Sequence, residues 1–420
     1  METSSLVKRD QKCIWHPFTQ AQTAASPIPI VAGNGVYLYA EDGRSYLDAI
    51  SSWWVNLHGH ANPYITKKIS EQAAQLEHVL FAGYTHLQAI TLAERLLALS
   101  PQGLTRVFYS DNGSTAVETA IKMALQVKGS GKTLLSFQGG YHGDTFGAMS
   151  ASGKNSYNHP FWPYLFQIYS ISPPLRGHEE QSWAEFERAL KTENIAAFIF
   201  EPLLQGAGGM LPHSKIYLKR MIKTCHDRGI ITIADEVMTG FGRTGPLFAC
   251  NTIEETPDIL CLSKGITGGF LPLGATLAKE YLYEAFLSNE LSRAFLHGHS
   301  YTANPLACAA ANASLDLLEE NSSDRDRIQH SHLRFQNHYA FHPKLKRCDV
   351  VGTILILEYS TQESSYFDPL SPKLTSFFQK EGILVRPLGN VLYILPPYCI
   401  TNDELQKIYE TIEITLTNWP

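Results

Sequence analysis

The stretch DILCLSKGITGG, residues 258–269, decides the fold class of this chain. A short apolar run reaches Lys264, and three glycines follow the lysine within five residues. A second apolar run, over residues 230–234, ends in the same way at Asp235, before the glycine-rich stretch GFGRTG at 240–245. Short apolar strands of this kind are typical of a buried parallel sheet. The two runs therefore predict an α/β fold that places a lysine amine and a carboxylate on one rim of the sheet.

Lys264 and Asp235 together have a chemical meaning that neither has alone. A lysine amine can form a Schiff base with a carbonyl cofactor, and a carboxylate can keep a pyridine nitrogen protonated so that the ring accepts electrons. Taken singly, most lysines are solvated, and most acids that follow strands cap helices. The combination indicates a site for pyridoxal 5′-phosphate.

The composition is that of a large globular protein. The chain has 420 residues, 44% of them hydrophobic, with 34 basic and 40 acidic residues and a net charge of −6. We expect about two or three domains. No basic stripe is present, so we expect small-molecule substrates and neither nucleic acid nor membrane as a partner. No apolar run approaches the ~18–20 residues of a membrane span, and we expect a cytoplasmic protein.

Apolar runs alternate with amphipathic segments from about residue 60 to residue 320, which indicates a largely parallel sheet. The predicted strands are 105–109, 133–137, 196–200, 230–234 and 258–263, and a helix is predicted over 214–228. The polar stretch 321–347 predicts a helix that leads into a smaller α+β lobe with strands at 353–358, 383–386 and 391–395. We therefore divide the chain into an N-terminal segment (1–60) that packs with the small domain, a large cofactor-binding domain (61–320) and a C-terminal small domain (321–420).

Several other positions could bind parts of a small molecule. Gly113 and Ser114 lie between a predicted strand and helix, where the first helical turn attracts anions, although Ser114 could equally be an ordinary N-cap. Tyr141 lies in the loop GGYHGD (139–144), where its ring could stack on a planar cofactor or anchor the loop. Arg386 follows an apolar strand and could hold a carboxylate through two hydrogen bonds. Trp53, Trp54 and Phe18 are either core residues or pocket walls.

Two patterns suggest other chemistry but have the wrong spacing. GSGKT (129–133) resembles the end of a nucleotide-binding P-loop, yet Gln126 stands where the first glycine is required, and the segment precedes a strand. We interpret it as a helix-to-strand turn. His297 and His299 form an H-x-H pair without a third ligand nearby, and the seven cysteines contain no C-x-x-C pair. We expect neither a metal site nor disulfides.

The chain resembles the class III aminotransferases over nearly its whole length. The motifs that carry this resemblance are DEVMTGFGRTG (235–245), LSKGITGG (262–269), NGSTAVETAIKMA (112–124), YHGDTFGAMS (141–150), EPLLQGAGGM (201–210) and HSYTANPLACAAA (299–311). Three more, IWHPFTQ (14–20), SSWWVNLHGH (51–60) and VRPLGNVLYILPPY (385–398), resemble the branch of this class that acts in biotin synthesis. The resemblance implies fold type I of the pyridoxal phosphate-dependent transferases, with a mostly parallel seven-stranded sheet in the large domain and a smaller α+β domain.

The resemblance also implies roles for individual residues. Lys264 would form the Schiff base and move the proton, Asp235 would pair with the ring nitrogen, and Tyr141 would cover the ring. Gly113 and Ser114 would bind the phosphate, which His299 and Ser300 of a neighbouring subunit would also reach, so a homodimer is implied. The positions that match substrate contacts are Phe18, Trp53, Tyr141, Gly298, Lys264 and Arg386, with Arg386 expected to take a carboxylate.

The implied reaction transfers the amino group of S-adenosylmethionine to 8-amino-7-oxononanoate in two half-reactions on one site. The chain departs from its relatives at Phe18, where tyrosine is common, and at Ser300, where threonine is frequent. One alternative is another class III enzyme that uses an ω-amino acid or an ornithine-like donor with 2-oxoglutarate. The other is a non-catalytic scaffold with the same fold, which has no chemical reason to keep Lys264, Asp235 and the phosphate loop.

Overall fold

The computed structural model describes residues 5–361 and 365–417. It begins with helix α1 (Ser5–Cys13), followed by strands β1 (Ile30–Asn34), β2 (Tyr37–Ala40) and β3 (Ser45–Asp48). These three strands were not predicted, because their exposed and buried residues give no continuous apolar run. A short helical segment, α2 (Ser51–Trp54), follows β3 directly.

The central sheet contains seven strands in the order β4-β12-β11-β10-β7-β5-β6. Its strands, with the short β8–β9 hairpin that lies outside the sheet, are β4 (Leu104–Ser110), β5 (Thr133–Phe137), β6 (Tyr169–Ile171), β7 (Ile195–Phe200), β8 (Leu204–Gln205), β9 (Leu211–Pro212), β10 (Ile231–Asp235), β11 (Ile259–Leu262) and β12 (Gly274–Lys279). Neighbouring strands run parallel except at β12, which is antiparallel to both β11 and β4. The mostly parallel seven-stranded sheet is confirmed, and β6 and β12 are the two strands of it that the sequence did not predict.

Helices cover both faces of this sheet and supply its core contacts. They are α3 (Pro63–Gln75), α4 (Leu87–Leu99), α5 (Gly113–Lys128), α6 (Phe146–Ala151), α7 (Glu179–Thr192), α8 (Lys215–Asp227), α9 (Glu280–Glu284) and α10 (Pro305–Glu320), with 3₁₀ turns at His159–Tyr164, Ala249–Thr252, Lys264–Thr267 and Leu291–Arg293. The segment 129–132 joins α5 to β5, so the interpretation of GSGKT as a helix-to-strand turn is confirmed. Among the described helices, none has the length and apolar character needed to span a bilayer.

The C-terminal part forms the smaller lobe. It consists of α11 (Ser322–Tyr339), β13 (Leu345–Val351), β14 (Ile354–Tyr359), α12 (Leu370–Lys380), β15 (Ile383–Leu384), β16 (Val391–Ile394) and α13 (Asn402–Thr417). β13, β14 and β16 make an antiparallel sheet, whereas β15 pairs in parallel with β3. The strand predicted over 383–386 ends at Leu384, before Pro387, which has no N–H to donate to a sheet.

The pairing of β15 with β3 joins the N-terminal segment to the C-terminal lobe in one four-stranded sheet. Ile383 lies opposite Leu47, and Leu384 lies opposite Asp48. The division of the chain at residues 60 and 320 stays a prediction. The pairing fixes the position of the backbone that leads to Arg386 relative to the backbone that leads to Trp53.

Candidate active site

A cavity of about 680 Å³ opens at the carboxyl ends of the parallel strands. This volume lies in the ordinary range of small-molecule sites. Residues that follow β4, β5, β7, β10 and β11 line it, among them Asn112, Gly113, Ser114, Tyr141, His142, Glu201, Asp235, Val237 and Lys264. Five residues predicted from the sequence, namely Gly113, Ser114, Tyr141, Asp235 and Lys264, are thus brought to one cavity.

Lys264 follows β11 and has a backbone φ of 46°, in the left-handed region that residues other than glycine rarely adopt. Strain of this kind is common at functional sites. The Nζ atom lies 4.5 Å from the centroid of the Trp54 ring. Burial removes water from around the ammonium and lowers the pKa of Lys264 to about 8. The negative charges of Asp235 and Glu201 act to raise this pKa, but burial outweighs them. A fraction of the amine is therefore uncharged near neutral pH.

Asp235, at the end of β10, is buried and bonded on both carboxylate oxygens. Its Oδ2 lies 2.7 Å from Nδ1 of His142, and its Oδ1 accepts a hydrogen bond from the N–H of Val237 at 3.1 Å. Burial alone would lower the pKa of His142, but the hydrogen bond and the charge of Asp235 outweigh it, and the pKa is raised. The pair therefore holds the Asp235 carboxylate in a fixed orientation at the cavity wall.

Sequence reasoning assigned no role to His142 or to Glu201. Glu201 follows β7 directly and accepts hydrogen bonds from the N–H groups of Tyr141, at 3.1 Å, and Gly206, at 2.9 Å. Its burial raises the pKa of this carboxyl to about 7. Glu201 could have been found from the sequence, because it follows a predicted strand. That strand, β7, runs parallel to β10, so the carboxyl end of β7 lies at the same rim of the sheet as Asp235.

Helix α5 begins at the cavity. Asn112 is its N-cap, with its side chain accepting from the N–H of Thr115 at 2.9 Å, so the alternative that Ser114 is the N-cap is wrong. Ser114 instead accepts a hydrogen bond from the N–H of Thr145 at 3.1 Å. At Gly113 a Cβ atom would lie 2.6 Å from Cγ1 of Val237, so only glycine fits there. Free N–H groups and the dipole of a 16-residue helix make this end suited to a phosphate.

The phenol ring of Tyr141 lines the cavity and is half-buried. Its ring packs edge-on against Tyr157, with centroids 6.3 Å apart. Burial raises the pKa of the Tyr141 phenol, so the hydroxyl stays protonated at physiological pH. The residue therefore presents a neutral aromatic face and edge to the cavity.

The segment Ser51–Trp54 is a left-handed turn in which four consecutive residues have positive φ, between 45° and 77°. Such residues cost on the order of 1 kcal/mol each, so surrounding contacts must hold them. The turn directs Trp54 toward Lys264 and Trp53 toward Arg386, whose guanidinium carbon lies 4.4 Å from the Trp53 ring centroid. Phe18 packs edge-on against Trp53 at 5.6 Å. The structure thus brings Phe18, Trp53 and Arg386 together, next to the cavity.

Gly298, His299 and Ser300 are not brought into the cavity of their own chain. They lie in an exposed loop before α10. His299 lies near one residue of the cavity lining, with its Nε2 4.0 Å from Oδ1 of Asp111. Within the described residues no group of three or more His, Cys, Asp or Glu side chains could hold a metal ion.

Residues 19–416 match the family described as Aminotransferase class-III, so the chain belongs to the class III aminotransferases. It is 47% identical over 411 residues to the adenosylmethionine-8-amino-7-oxononanoate aminotransferase of Synechococcus elongatus, which covers 95% of this chain and 97% of that protein. The protein of the same name from Helicobacter pylori is 40% identical over 421 residues, with 96% and 95% covered.

Solved structures agree with this assignment. A crystal structure of adenosylmethionine-8-amino-7-oxononanoate aminotransferase from Methanocaldococcus jannaschii superposes with a TM-score of 0.91 at 35% identity, covering 97% of this chain and 98% of that one. An amine transaminase from an uncultivated Pseudomonas species, in its PLP-bound form, gives a TM-score of 0.88 at 31% identity, with 97% and 99% covered. The predicted fold class, the aminotransferase activity and the pyridoxal 5′-phosphate dependence are confirmed at the level of this family.

Proposed function

We propose that this aminotransferase moves the amino group of S-adenosylmethionine to 8-amino-7-oxononanoate, giving 7,8-diaminopelargonate in biotin synthesis. The observation that carries the proposal is the arrangement of Lys264, Trp54, Trp53 and Arg386. Two adjacent indoles link an amine of lowered pKa to an arginine, the side chain best suited to bind a carboxylate. The names of the most similar relatives support the same substrates.

The residues around the cavity fit pyridoxal phosphate. The start of α5 at Gly113 and Ser114 would hold the phosphate, Asp235 would accept a hydrogen bond from the protonated ring nitrogen, and Tyr141 would cover the ring. When bound, the cofactor supplies an aldehyde that receives the amino group and a ring that accepts electrons. The buried His142–Asp235 pair would keep the carboxylate in place for this contact.

Lys264 would act as the base and the acid of both half-reactions. With a pKa of about 8 its amine can take the proton from the carbon that bears the donor's amino group and return a proton later. The ring of Trp54 restricts where the amine can lie, since Nζ is 4.5 Å from its centroid. One lysine thereby serves two substrates in turn, which predicts ping-pong kinetics.

Arg386 would bind the carboxylate of 8-amino-7-oxononanoate through two parallel hydrogen bonds. Trp53 and Phe18 form an apolar wall beside the guanidinium that suits the methylene chain of this acceptor. Phe18 has no hydroxyl, so its contribution to substrate recognition is apolar. The short acidic substrates of other class III enzymes would leave this wall uncovered, which favours the long acceptor over the alternative donor and acceptor pairs.

We further propose that the protein acts as a cytoplasmic homodimer with Gly298, His299 and Ser300 completing the partner's site. Large exposed apolar side chains support a buried contact between copies: Leu80, Tyr84, Leu87, Leu291, Leu296 and Tyr301. Co-expression of Lys264→Ala with His299→Ala chains tests the shared site. If His299 serves the partner, each mixed dimer has one intact site, and about a quarter of the wild-type activity returns. No recovery in mixed dimers would contradict the shared site.

The substrate assignment is tested by mass spectrometry of the product. Purified protein is incubated with 8-amino-7-oxononanoate and, in separate reactions, S-adenosylmethionine, glutamate and an ω-amino acid. The expected result is diaminopelargonate with S-adenosylmethionine, together with conversion of the cofactor to its amine form by that donor alone. Conversion by glutamate or the ω-amino acid, without diaminopelargonate, supports the first alternative. A chromophore that borohydride cannot reduce supports the scaffold.

A further inference from the structure

The Asp48 carboxylate is fully buried and fastens the left-handed turn at Ser51–Trp54. Its Oδ1 accepts hydrogen bonds from the N–H groups of Ile50, at 3.2 Å, and Ser52, at 3.0 Å. Its Oδ2 accepts from the Ser52 hydroxyl at 2.8 Å and contacts Nε2 of His60 at 2.9 Å. Both oxygens are therefore engaged, and three of the four contacts go to the residues that enter the turn.

His60 is itself held in one orientation. Its Nδ1 lies 3.0 Å from Nδ2 of Asn56, which can only donate, so Nδ1 accepts and Nε2 carries the proton toward Asp48. The backbone of His60 pairs with Gly35 in an isolated bridge. The imidazole therefore holds the carboxylate oxygen that also accepts from the Ser52 hydroxyl.

The same backbone also positions Arg386. Asp48 lies opposite Leu384 in the β3–β15 pairing, two residues before the arginine. The N–H of Ala49 donates to the carbonyl of Leu384 at 3.2 Å, and the carbonyl of Ala49 accepts from the N–H of Leu395 at 2.8 Å. The hydroxyl of Ser51 donates to the carbonyl of Leu395 at 2.8 Å. The strand that leads to the arginine and the turn that carries both tryptophans thus form one hydrogen-bonded unit.

We propose that Asp48 is a positioning residue for the carboxylate site at Arg386: by holding the turn that carries Trp54 and Trp53, it keeps the Trp53 ring in place beside the guanidinium. Each indole lies against a cation, at 4.5 Å and 4.4 Å from ring centroid to Nζ of Lys264 and to the guanidinium carbon. A turn of four non-glycine residues with positive φ does not hold this conformation by itself. Release of Ser52 moves Trp53, and with it one wall of the carboxylate site.

A purely structural role for Asp48 is the alternative, and a matched variant separates the two. Asp258 is also a buried carboxylate at a strand end, accepting from the N–H and hydroxyl of Thr232 and pairing with Lys279. It lies at the opposite end of β11 from Lys264 and does not line the cavity. Asp258→Asn therefore reports what the loss of a buried carboxylate does to stability alone.

The test compares Asp48→Asn with Asp258→Asn and Arg386→Ala in the holoenzyme. The probe is nonanoate, an unreactive nine-carbon carboxylate, and its Kd is measured by titration calorimetry together with the Tm of each variant. Arg386→Ala is expected to abolish measurable binding. Asp48→Asn is expected to raise Kd about tenfold, because a site displaced by a fraction of an ångström loses much of its complementarity. Asp258→Asn is expected to lower Tm without changing Kd.

An unchanged Kd in Asp48→Asn, with a fall in Tm like that of Asp258→Asn, would overturn the proposal. Should Asp48→Asn not fold, Ser52→Ala replaces it and is expected to raise Kd about threefold, on the scale of one lost hydrogen bond; no change there overturns the proposal as well. The identity of the acceptor rests on the proposed function, whereas nonanoate tests only the carboxylate site. A wild-type protein that makes no diaminopelargonate but shows the expected nonanoate pattern would refute the substrate assignment and leave the role of Asp48 intact.

Discussion

The carboxylate of Asp235 and the imidazole of His142 are hydrogen-bonded at 2.7 Å, and both side chains are buried at the wall of the cavity. Asp235 ends the strand β10, whereas His142 lies in the loop after β5, two strands away in the sheet. The contact fixes the direction in which Asp235 presents its charge. His142 therefore positions Asp235, the residue expected to face the ring nitrogen of the cofactor.

His142→Ala should weaken cofactor binding. The change removes one hydrogen bond to a charged group, so the apparent Kd for pyridoxal phosphate should rise roughly tenfold. Absorbance of the bound cofactor during titration of the apoenzyme measures this. His332→Ala is the matched control, because His332 is also buried and bonded but lies in the C-terminal lobe, against Tyr409 and Thr353. Equal losses in both variants would mean that His142 acts only through stability.

Reconstitution with pyridoxal phosphate should accelerate with pH through about 8. Only the uncharged amine of Lys264 attacks the aldehyde, and the pKa of Lys264 is lowered to about 8 because the ammonium loses water. The rate of cofactor incorporation, followed by absorbance in stopped flow, should rise tenfold per pH unit well below that value and level off above it. A profile that still rises steeply above pH 9 would contradict an amine of lowered pKa.

Lys264→Ala should bind the cofactor without covalent attachment and show no turnover.

Glu201→Gln should gain stability relative to the wild-type apoenzyme as the pH rises. The folded-state pKa of Glu201 is raised to about 7 from an ordinary value near 4.5, so the folded protein binds the proton more tightly than the unfolded chain. The stability that the protonated carboxyl contributes is fully present below about pH 4.5 and is lost as the pH rises through 7. This gain of Glu201→Gln relative to the wild type should therefore grow by about 2.5 kcal/mol between pH 5 and pH 8.

Chemical denaturation of both proteins across this pH range measures that gain. Glu185 provides a control in which the pH dependence has the opposite sign, because its pKa is lowered. Burial acts to raise the pKa of Glu185, but hydrogen bonds from Ser172 and Gln181 outweigh the effect of burial. Glu185→Gln should be less stable than the wild type above pH 4.5 and about as stable as the wild type well below it. A pH-independent difference between Glu201→Gln and the wild type would refute the raised pKa of Glu201.

Gly113→Ala should impair cofactor binding, and Val237→Ala should repair it. The new Cβ would lie 2.6 Å from Cγ1 of Val237, which forces the first turn of α5 away from the cavity. We expect the apparent Kd of pyridoxal phosphate to rise by about tenfold or more, with most of the loss recovered in the double variant because its clash is absent. Titration of the four proteins gives the coupling energy. Additive losses in the double variant would show that the clash is not the cause.

Short apolar runs bounded by glycine made the central sheet predictable from the sequence. The ends of β10 and β11 gave Asp235 and Lys264, because carboxyl ends of parallel strands share a rim. The same rule, applied to β7, would also have found Glu201. His142 was harder to identify, since a histidine in a glycine-rich loop has no fixed direction until the loop is folded against β10.

The left-handed turn could not be predicted. Positive φ is ordinarily signalled by glycine or asparagine, whereas this segment reads Ser-Ser-Trp-Trp. Its conformation depends on Asp48 and on Leu395, which lies far along the chain. In the four-stranded sheet, β15 was predicted within 383–386, whereas β1, β2 and β3 escaped prediction because they contain no continuous apolar run.

The pairing of β3 with β15 has a consequence for biosynthesis on the ribosome. Strand β3 is translated more than 300 residues before its partner at Ile383–Leu384. The central sheet can assemble while synthesis continues, since its strands lie between residues 104 and 279. Arg386 therefore cannot take its place beside the turn until residues 383–384 have been synthesised, and a product truncated upstream of residue 383 would keep the strands of the central sheet but lack both Arg386 and the strand that pairs with β3.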